Sequence, residues 1–277
     1  MAQTNSVNVI FNADDFGKSS AINQAVLKAH QEGVLTSASV LVNGKAFNEA
    51  VKIAQDNPRL GVGLHLCLAN GRSTLNPEEI PNLIDKYYRF PYNPITAGLK
   101  YYFLKHLRPQ LRQEIEAQFA MFFATGIPLD HVDGHVNIHL HPSIFSILKH
   151  HYREWSIKRF RLTQEPLFLN LSISPNRFFY KISHWMIFKL LSFRSRPSLV
   201  RRKIIFTDAV FGLLQTGAVT EQYLLKLLPR LKPGTYEIYL HPTTEGDSAE
   251  LAALTSPNVK KLIQNLGIKL VRYQDLC

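Results

Sequence analysis

From His131 to His141, every odd position carries a polar or ionisable side chain: His131, Asp133, His135, Asn137, His139 and His141. The even positions between them are Val132, Gly134, Val136, Ile138 and Leu140. Period-two alternation predicts a strand with two unlike faces. A face of four histidines and an aspartate suits metal ligation or proton transfer. Solvated strand faces more often carry Lys, Glu, Thr and Ser.

A second constellation lies near the start, in Val9-Ile-Phe-Asn-Ala-Asp-Asp-Phe-Gly17. An apolar strand there runs into two adjacent acids and a glycine turn. Consecutive carboxylates at a buried strand end are costly unless paired or metal-bound. Adjacent side chains point in different directions, so one of Asp14 and Asp15 can ligate a metal while the other takes a proton. The competing explanation is an N-cap for a helix beginning near Ser19, but a cap needs only one acid. His65, in Gly61-Val-Gly-Leu-His-Leu66, and His241, in Tyr236-Glu-Ile-Tyr-Leu-His-Pro242, stand near the ends of two further apolar strands. A lone histidine in such a place is more often a satisfied core residue. In β/α barrels, however, C-terminal strand ends converge on one site, and Asp14, Asp15, His65, His135 and His241 all occupy such ends.

An aspartate with two histidines suits one catalytic divalent ion, zinc or magnesium among others, with positions left for water and substrate. Spacing alone does not say which histidine of the 131–141 run ligates. In a strand, His135 and His139 would lie roughly 13 Å apart, too far to share an ion. In a helix they would be i, i+4 neighbours, as in zinc proteases, but Gly134 and the missing glutamate after His135 weaken that reading.

The elements that must position these groups alternate. Strands are predicted over Val7–Asn12, Leu35–Val42, Leu60–Leu68, Leu129–His135, Ile157–Leu162, Ile204–Thr207, Tyr236–Leu240 and Lys269–Tyr273. Helices are predicted over Ala21–Glu32, Ala46–Gln55, Leu111–Ala124, Pro142–Glu154, Thr220–Leu228 and Ser256–Leu266. This order implies parallel strands with helical crossovers. Their number favours a closed or nearly closed (β/α) barrel, a single α/β domain spanning residues 1–277, over an open sheet. Residues 166–203 interrupt the alternation as a basic, aromatic insertion. There Phe179, Ile182, Met186, Leu190 and Phe193 recur at helical spacing. Such a stripe belongs either to a lid packed on the barrel or to a helix lying in a membrane interface.

The net charge of +11 is localised. No acid lies between Asp85 and Glu114, where six cations fall, and none between Glu165 and Asp208, where eight fall. The rest of the chain is close to neutral, which points to a localised anionic partner. No aromatic-basic recognition motif is evident, so nucleic acid is not expected. Cys67 and Cys277 build neither a disulfide framework nor a metal-type pair, which fits a reducing compartment. The N-terminal residues lack a basic n-region, so no signal peptide is expected. No apolar run reaches the roughly 18 residues of a spanning helix. A cytoplasmic protein, free or peripheral at the inner membrane face, is the expectation, and a homo-oligomer is compatible with it.

Five stretches together resemble the YdjC/ChbG-like carbohydrate deacetylases: Asn12-Ala-Asp-Asp-Phe-Gly17, Thr36-Ser-Ala-Ser-Val-Leu-Val-Asn-Gly44, Gly63-Leu-His-Leu66, Asp130-His-Val-Asp-Gly-His135 and Leu240-His-Pro242. The match covers nearly the whole chain in order. Further stretches, among them Gly98-Leu-Lys-Tyr-Tyr-Phe103 and Glu237-Ile-Tyr-Leu-His-Pro242, look like the hopanoid-biosynthesis-associated HpnK branch. The resemblance implies a deformed barrel that removes an N-acetyl group from an amino sugar with one divalent metal ion. It implies Asp15, His65 and His135 as metal ligands, Asp14 as general base and His241 as acid or oxyanion partner. Asn12, Asn43 and His139 would contact substrate, His139 alternatively standing behind the ligands. Where the hopanoid branch usually reads Ala-His-Lys-His-Phe-His-Leu-His, this chain has Gly134-His-Val-Asn-Ile-His-Leu-His141, so Val136 and Asn137 replace a basic residue and a histidine. The substrate implied for that branch is a triterpenoid lipid with an N-acetylglucosamine head. A soluble chitin-type oligosaccharide and a non-catalytic membrane-surface protein are the alternatives.

Overall fold

The computed structural model describes residues 6–246 and 248–276. Cys277 and the residues before Ser6, on which two of the expectations above bear, lie outside them. Seven strands form one parallel sheet: β1 (Val7–Phe16), β2 (Ser37–Val40), β3 (Gly61–Leu66), β4 (Leu129–Gly134), β5 (Ala209–Phe211), β6 (Gly234–Leu240) and β7 (Lys269–Leu270). Their order is β4-β3-β2-β1-β6-β5, with β7 also paired to β1. Among the described residues ten α-helices accompany them: α1 (Ser20–Glu32), α2 (Phe47–Asp56), α3 (Pro94–Phe103), α4 (Arg108–Phe123), α5 (Pro142–His151), α6 (Leu167–Ile173), α7 (Phe178–Arg201), α8 (Glu221–Leu227), α9 (Ala249–Thr255) and α10 (Pro257–Asn265). The sheet curls into a half-barrel, the deformed TIM-like architecture that the family resemblance implied. Strands buried along their whole length, such as β2 and β3, need near-continuous small or apolar residues, and their sequences supply them.

Two predicted strands shrink to single bridges. Ile157–Leu162 meets β4 through Val132 and Phe160, and Ile204–Thr207 meets it in turn through Arg159 and Ile205. The strand that pairs with β6 is instead Ala209–Phe211. Predicted strand Lys269–Tyr273 stops at Leu270, and Tyr273 begins a 3-10 turn. Helices α3, α6 and α9 were not expected from periodicity.

The alternating run ends as a strand at Gly134. His135–Leu140 winds into a 3-10 segment in which Val136 and Asn137 adopt left-handed φ of 51° and 55°. Neither the long strand nor the i, i+4 helix therefore holds. Asparagine tolerates this region, but a β-branched valine there is strained. The turn swings His135 toward β1 and sends His139 beneath the floor of the barrel mouth.

The insertion also departs from its expected packing. The side of α7 that faces the protein carries Lys181, Ser192, Ser195 and Leu199, with Ile182, Trp185, Phe188 and Leu191 packed partly buried against the core. Its aromatic stripe points outward: Phe179 is 85% exposed and Phe193 73%. Of the predicted stripe only Ile182 packs on the protein; Phe179, Met186, Leu190 and Phe193 do not form a packed lid.

Candidate active site

Every predicted ligand reaches one pocket at the C-terminal mouth of the half-barrel. The register of β1 on β2 shifts between Ala13 and Phe16. Asp15, in that bulge, has a left-handed φ of 66°. The bulge aims the two acids apart. Gly17 closes the turn at φ +89°, where a Cβ would press on the Leu41 carbonyl at 3.0 Å. The N-cap of α1 is Ser19, whose hydroxyl accepts from Ile22 N. Neither acid caps the helix.

Asp15 and His135 stand with Oδ1 and Nδ1 2.8 Å apart, and His65 Nε2 lies 3.6 Å from the same oxygen. His135 Nε2 is buried without a hydrogen-bond partner. His65 Nδ1 meets Asp133 Oδ1 at 2.8 Å. A proton on that nitrogen leaves the Nε2 lone pair facing Asp15, the carboxylate–histidine arrangement found behind metal ligands. Ligand atoms of Asp15, His65 and His135 all lie within 4.8 Å of one another. Around them Asp14, Asp15, Asp133 and Glu237 meet two fixed cations, Arg161 and Lys18. An orphaned buried ring nitrogen and surplus negative charge both fit a divalent cation.

Burial alone would raise Asp15, but His135, His65 and Lys18 hold its carboxyl well below the usual range. Burial likewise opposes charge on Asp133, and Arg161 and His65 outweigh it, so that carboxyl also sits far below the ordinary value. His65 is desolvated too, yet Asp133 and Asp14 leave its pKa raised.

Asp14 is clamped by Arg161, Nη1 to Oδ2 at 2.8 Å and Nη2 to Oδ1 at 2.7 Å. The same guanidinium donates to Glu237 Oε1 through Nε at 2.9 Å, and its Nη2 lies 2.8 Å from Asp133 Oδ2. Tyr239 lies across its face, 4.4 Å from the ring centre. Arg161 is the residue that the sequence reading missed. The only local signal lay on the partner, Glu237 inside the apolar strand Tyr236–Leu240, which demands a buried counter-charge; Arg161 itself is one of three cations in Ile157-Lys-Arg-Phe-Arg-Leu162 and does not stand out.

The remaining predicted residues divide. His241, a third exposed, stands on the rim with Nε2 4.0 Å from Asp14 Oδ2. Its backbone N donates to Glu250 at 2.7 Å. Asn12 and His139, expected at the substrate, are instead fully buried. Asn12 Nδ2 donates to Asp14 and Ser39, bracing the acid from below. His139 Nε2 lies 3.0 Å from the Arg161 carbonyl. Burial pushes His139 down to about 4, so it is neutral near pH 7. Asn43 follows β2 on the surface, donating to the Arg72 carbonyl at 2.6 Å. His131 faces inward but away from this pocket, between Asp130 at 2.9 Å and the Tyr273 ring stacked 4.5 Å away. Gly63 makes room for it, since a Cβ there would lie 2.4 Å from the imidazole.

Comparison with known proteins agrees with this architecture. The chain is 29% identical over 280 residues to a carbohydrate deacetylase of Geobacillus stearothermophilus, with 96% of each chain covered. It is 27% identical over 286 residues to a chitooligosaccharide deacetylase of Yersinia enterocolitica, covering 96% of this chain and 98% of that one. A crystal structure of a protein from Enterococcus faecalis V583 superposes with a TM-score of 0.72 at 24% identity, over 98% of this chain and 99% of the other, and so shares the fold. The profile described as YdjC-like protein matches residues 8–265, and the chain belongs to that family.

Proposed function

We propose that this protein is a metal-dependent carbohydrate deacetylase that hydrolyses the N-acetyl group of an amino sugar. The observation that carries the reading is the trio Asp15, His65 and His135, whose ligand atoms lie within 4.8 Å of one another beside a clamped carboxylate. The named relatives are deacetylases of carbohydrates, which agrees in reaction and substrate class. Asp15, His65 and His135 would hold one divalent ion, magnesium or zinc. When bound, such an ion polarises the acetyl carbonyl and acidifies water.

The protein's own groups carry the protons. Asp14 Oδ2 accepts one bond from Arg161 and keeps a lone pair on the side of His241, where it takes the proton of the attacking water. His241, as imidazolium, gives its proton to the departing amine. Water is consumed, the C–N bond breaks, and acetate and the free amino sugar leave. Arg161 keeps Asp14 from rotating, and Asn12 supports the other oxygen.

The finer substrate in this reading is the N-acetylglucosamine head of a hopanoid lipid, on the resemblance of several stretches to the HpnK branch. A soluble chitin-type oligosaccharide is the second reading, favoured by the Yersinia relative. Purified H65A and H135A should each lose stoichiometric metal by elemental analysis and lose acetate release by more than about a hundredfold. Full activity in either variant overturns the ligand set. Lipid extracts of cells lacking the protein should accumulate a species heavier by one acetyl group. Its absence, with chitooligosaccharides deacetylated normally in vitro, selects the soluble substrate.

A further inference from the structure

Helix α7 packs Ile182, Trp185, Phe188, Leu191 and Leu199 on the core, yet it leaves a second apolar stripe in water. Amphipathic helices of folded proteins bury their apolar stripe. Here Ser192 Oγ donates to the Thr163 carbonyl, and Lys181 Nζ reaches Gln215 on the inner side. Phe179, Met186, Leu190 and Phe193 form the outer stripe. Helix α3 repeats the pattern. It buries Ala97 and Tyr101 and exposes Ile95, Leu99, Tyr102 and Phe103, the last at 69%. Both helices pack on α5 and on the 135–140 segment that carries His135, so the two apolar faces flank the mouth of the pocket. Large apolar faces left in water mark an interaction surface.

Charge identifies the occupant. Exposed Arg177, Lys189, Arg194, Arg196 and Arg201 border the stripe on α7, within a window that contains no acid. The window around α3 is equally free of acids. A second copy docked face to face would set these cations against their own kind, at a cost that like charges impose. An anionic bilayer satisfies both features at once: acyl chains for the aromatic stripe and headgroups for the cations. No helix among the described residues is long and apolar enough to cross a membrane, so the contact lies in the interface plane.

We propose that the outward faces of α7 and α3 dock this protein on an anionic lipid bilayer, with the pocket mouth beside the headgroups. The inference rests on the deacetylase reading only for its use, since it names the surface from which a lipid-linked substrate is taken. The test is flotation with phosphatidylcholine vesicles, with and without a third of phosphatidylglycerol, for wild type and the F179S/M186S/L190S/F193S variant. All four positions are exposed, and acetate release from a soluble chitooligosaccharide serves as the folding control.

Wild type should float with the anionic vesicles and not the neutral ones. The variant should lose at least about tenfold in partitioning while keeping soluble activity. A wild type that fails to float at low salt overturns the proposal, as does a variant that floats equally well. A wild-type dimer that the substitutions dissociate, with no vesicle binding, assigns the face to a second copy instead. Flotation as expected with no acetate release from the chitooligosaccharide or from a vesicle-embedded N-acetylated glycolipid would sink the deacetylase reading and leave the docking intact.

Discussion

Arg161 shows how one side chain sets the state of several others. It is fully buried and touches three carboxylates, those of Asp14, Asp133 and Glu237. Burial disfavours its charge, but Asp133, Asp14 and Glu237 raise its pKa well above the usual value. Replacing it with methionine would leave three acids desolvated without their common cation. R161M should lose about 3–5 kcal/mol of unfolding free energy in urea titrations, the cost of breaking a buried ion pair from one side. R161K should fall between, since an ammonium cannot bridge two oxygens of Asp14 while reaching Glu237. Equal stability of R161M and wild type would mean that the acids find other partners. The contrast with Asp15, His65 and His135 explains what the sequence reveals at this scale. Those three stand at strand ends beside glycine turns, where a local pattern carries the signal. Arg161, Asp14 and Glu237 are joined across 76 and 147 residues of separation, which spacing does not report.

Elements with a repeating pattern were legible, and those shaped by a distant contact were not. The strands β1, β3 and β6 emerge from their apolar runs because both faces are covered, whereas Ile157–Leu162 satisfies its backbone through single bridges and reads as a strand without being one. The run after Gly134 misleads because its alternation reflects two environments, the pocket and the floor beneath it. Helix α7 was legible as helical and α6 was not, and the orientation of α7 depends on what it buries. Part of that answer is Glu165, fully enclosed where α6 begins. It accepts from Asn170 at 2.6 Å and from Leu214 N at 2.9 Å. Burial pushes it up to about 7, against the pull of its hydrogen bonds and of Lys181. The unfolded chain releases this proton near the ordinary glutamate value of about 4.3, while the folded chain keeps it until about pH 7. Stability tied to this group is therefore full below pH 4 and falls as pH rises to about 7, by about 3 kcal/mol in all. E165Q removes that dependence. Denaturant midpoints of wild type and variant should diverge between pH 5 and pH 8 in favour of the variant. A constant difference across that range would show that Glu165 ionises inside as it does outside.

At the scale of the molecule, charge and apolar exposure are segregated together. The net +11 is concentrated in two acid-free windows, and those windows also hold the outward stripes of α3 and α7. The catalytic groups sit in the opposite kind of environment, a pocket with more carboxylates than fixed cations. A positive surround brings an anionic surface close, while the negative pocket retains a metal ion, and each field acts over its own range. Interactions across the exposed surface are screened over about 10 Å at 0.1 M salt and about 3 Å at 1 M, whereas buried pairs such as Arg161–Asp14 are screened much less. Turnover of a vesicle-embedded N-acetylated glycolipid should therefore fall steeply as salt rises through this range. Turnover of a soluble chitooligosaccharide by the same preparation should hold within about twofold, because its chemistry depends only on the enclosed groups. The measurement is acetate release from both substrates across one salt series. Parallel decline would place the salt-sensitive step in the pocket itself, and a flat response with vesicles would leave the cationic rim without a part in substrate capture.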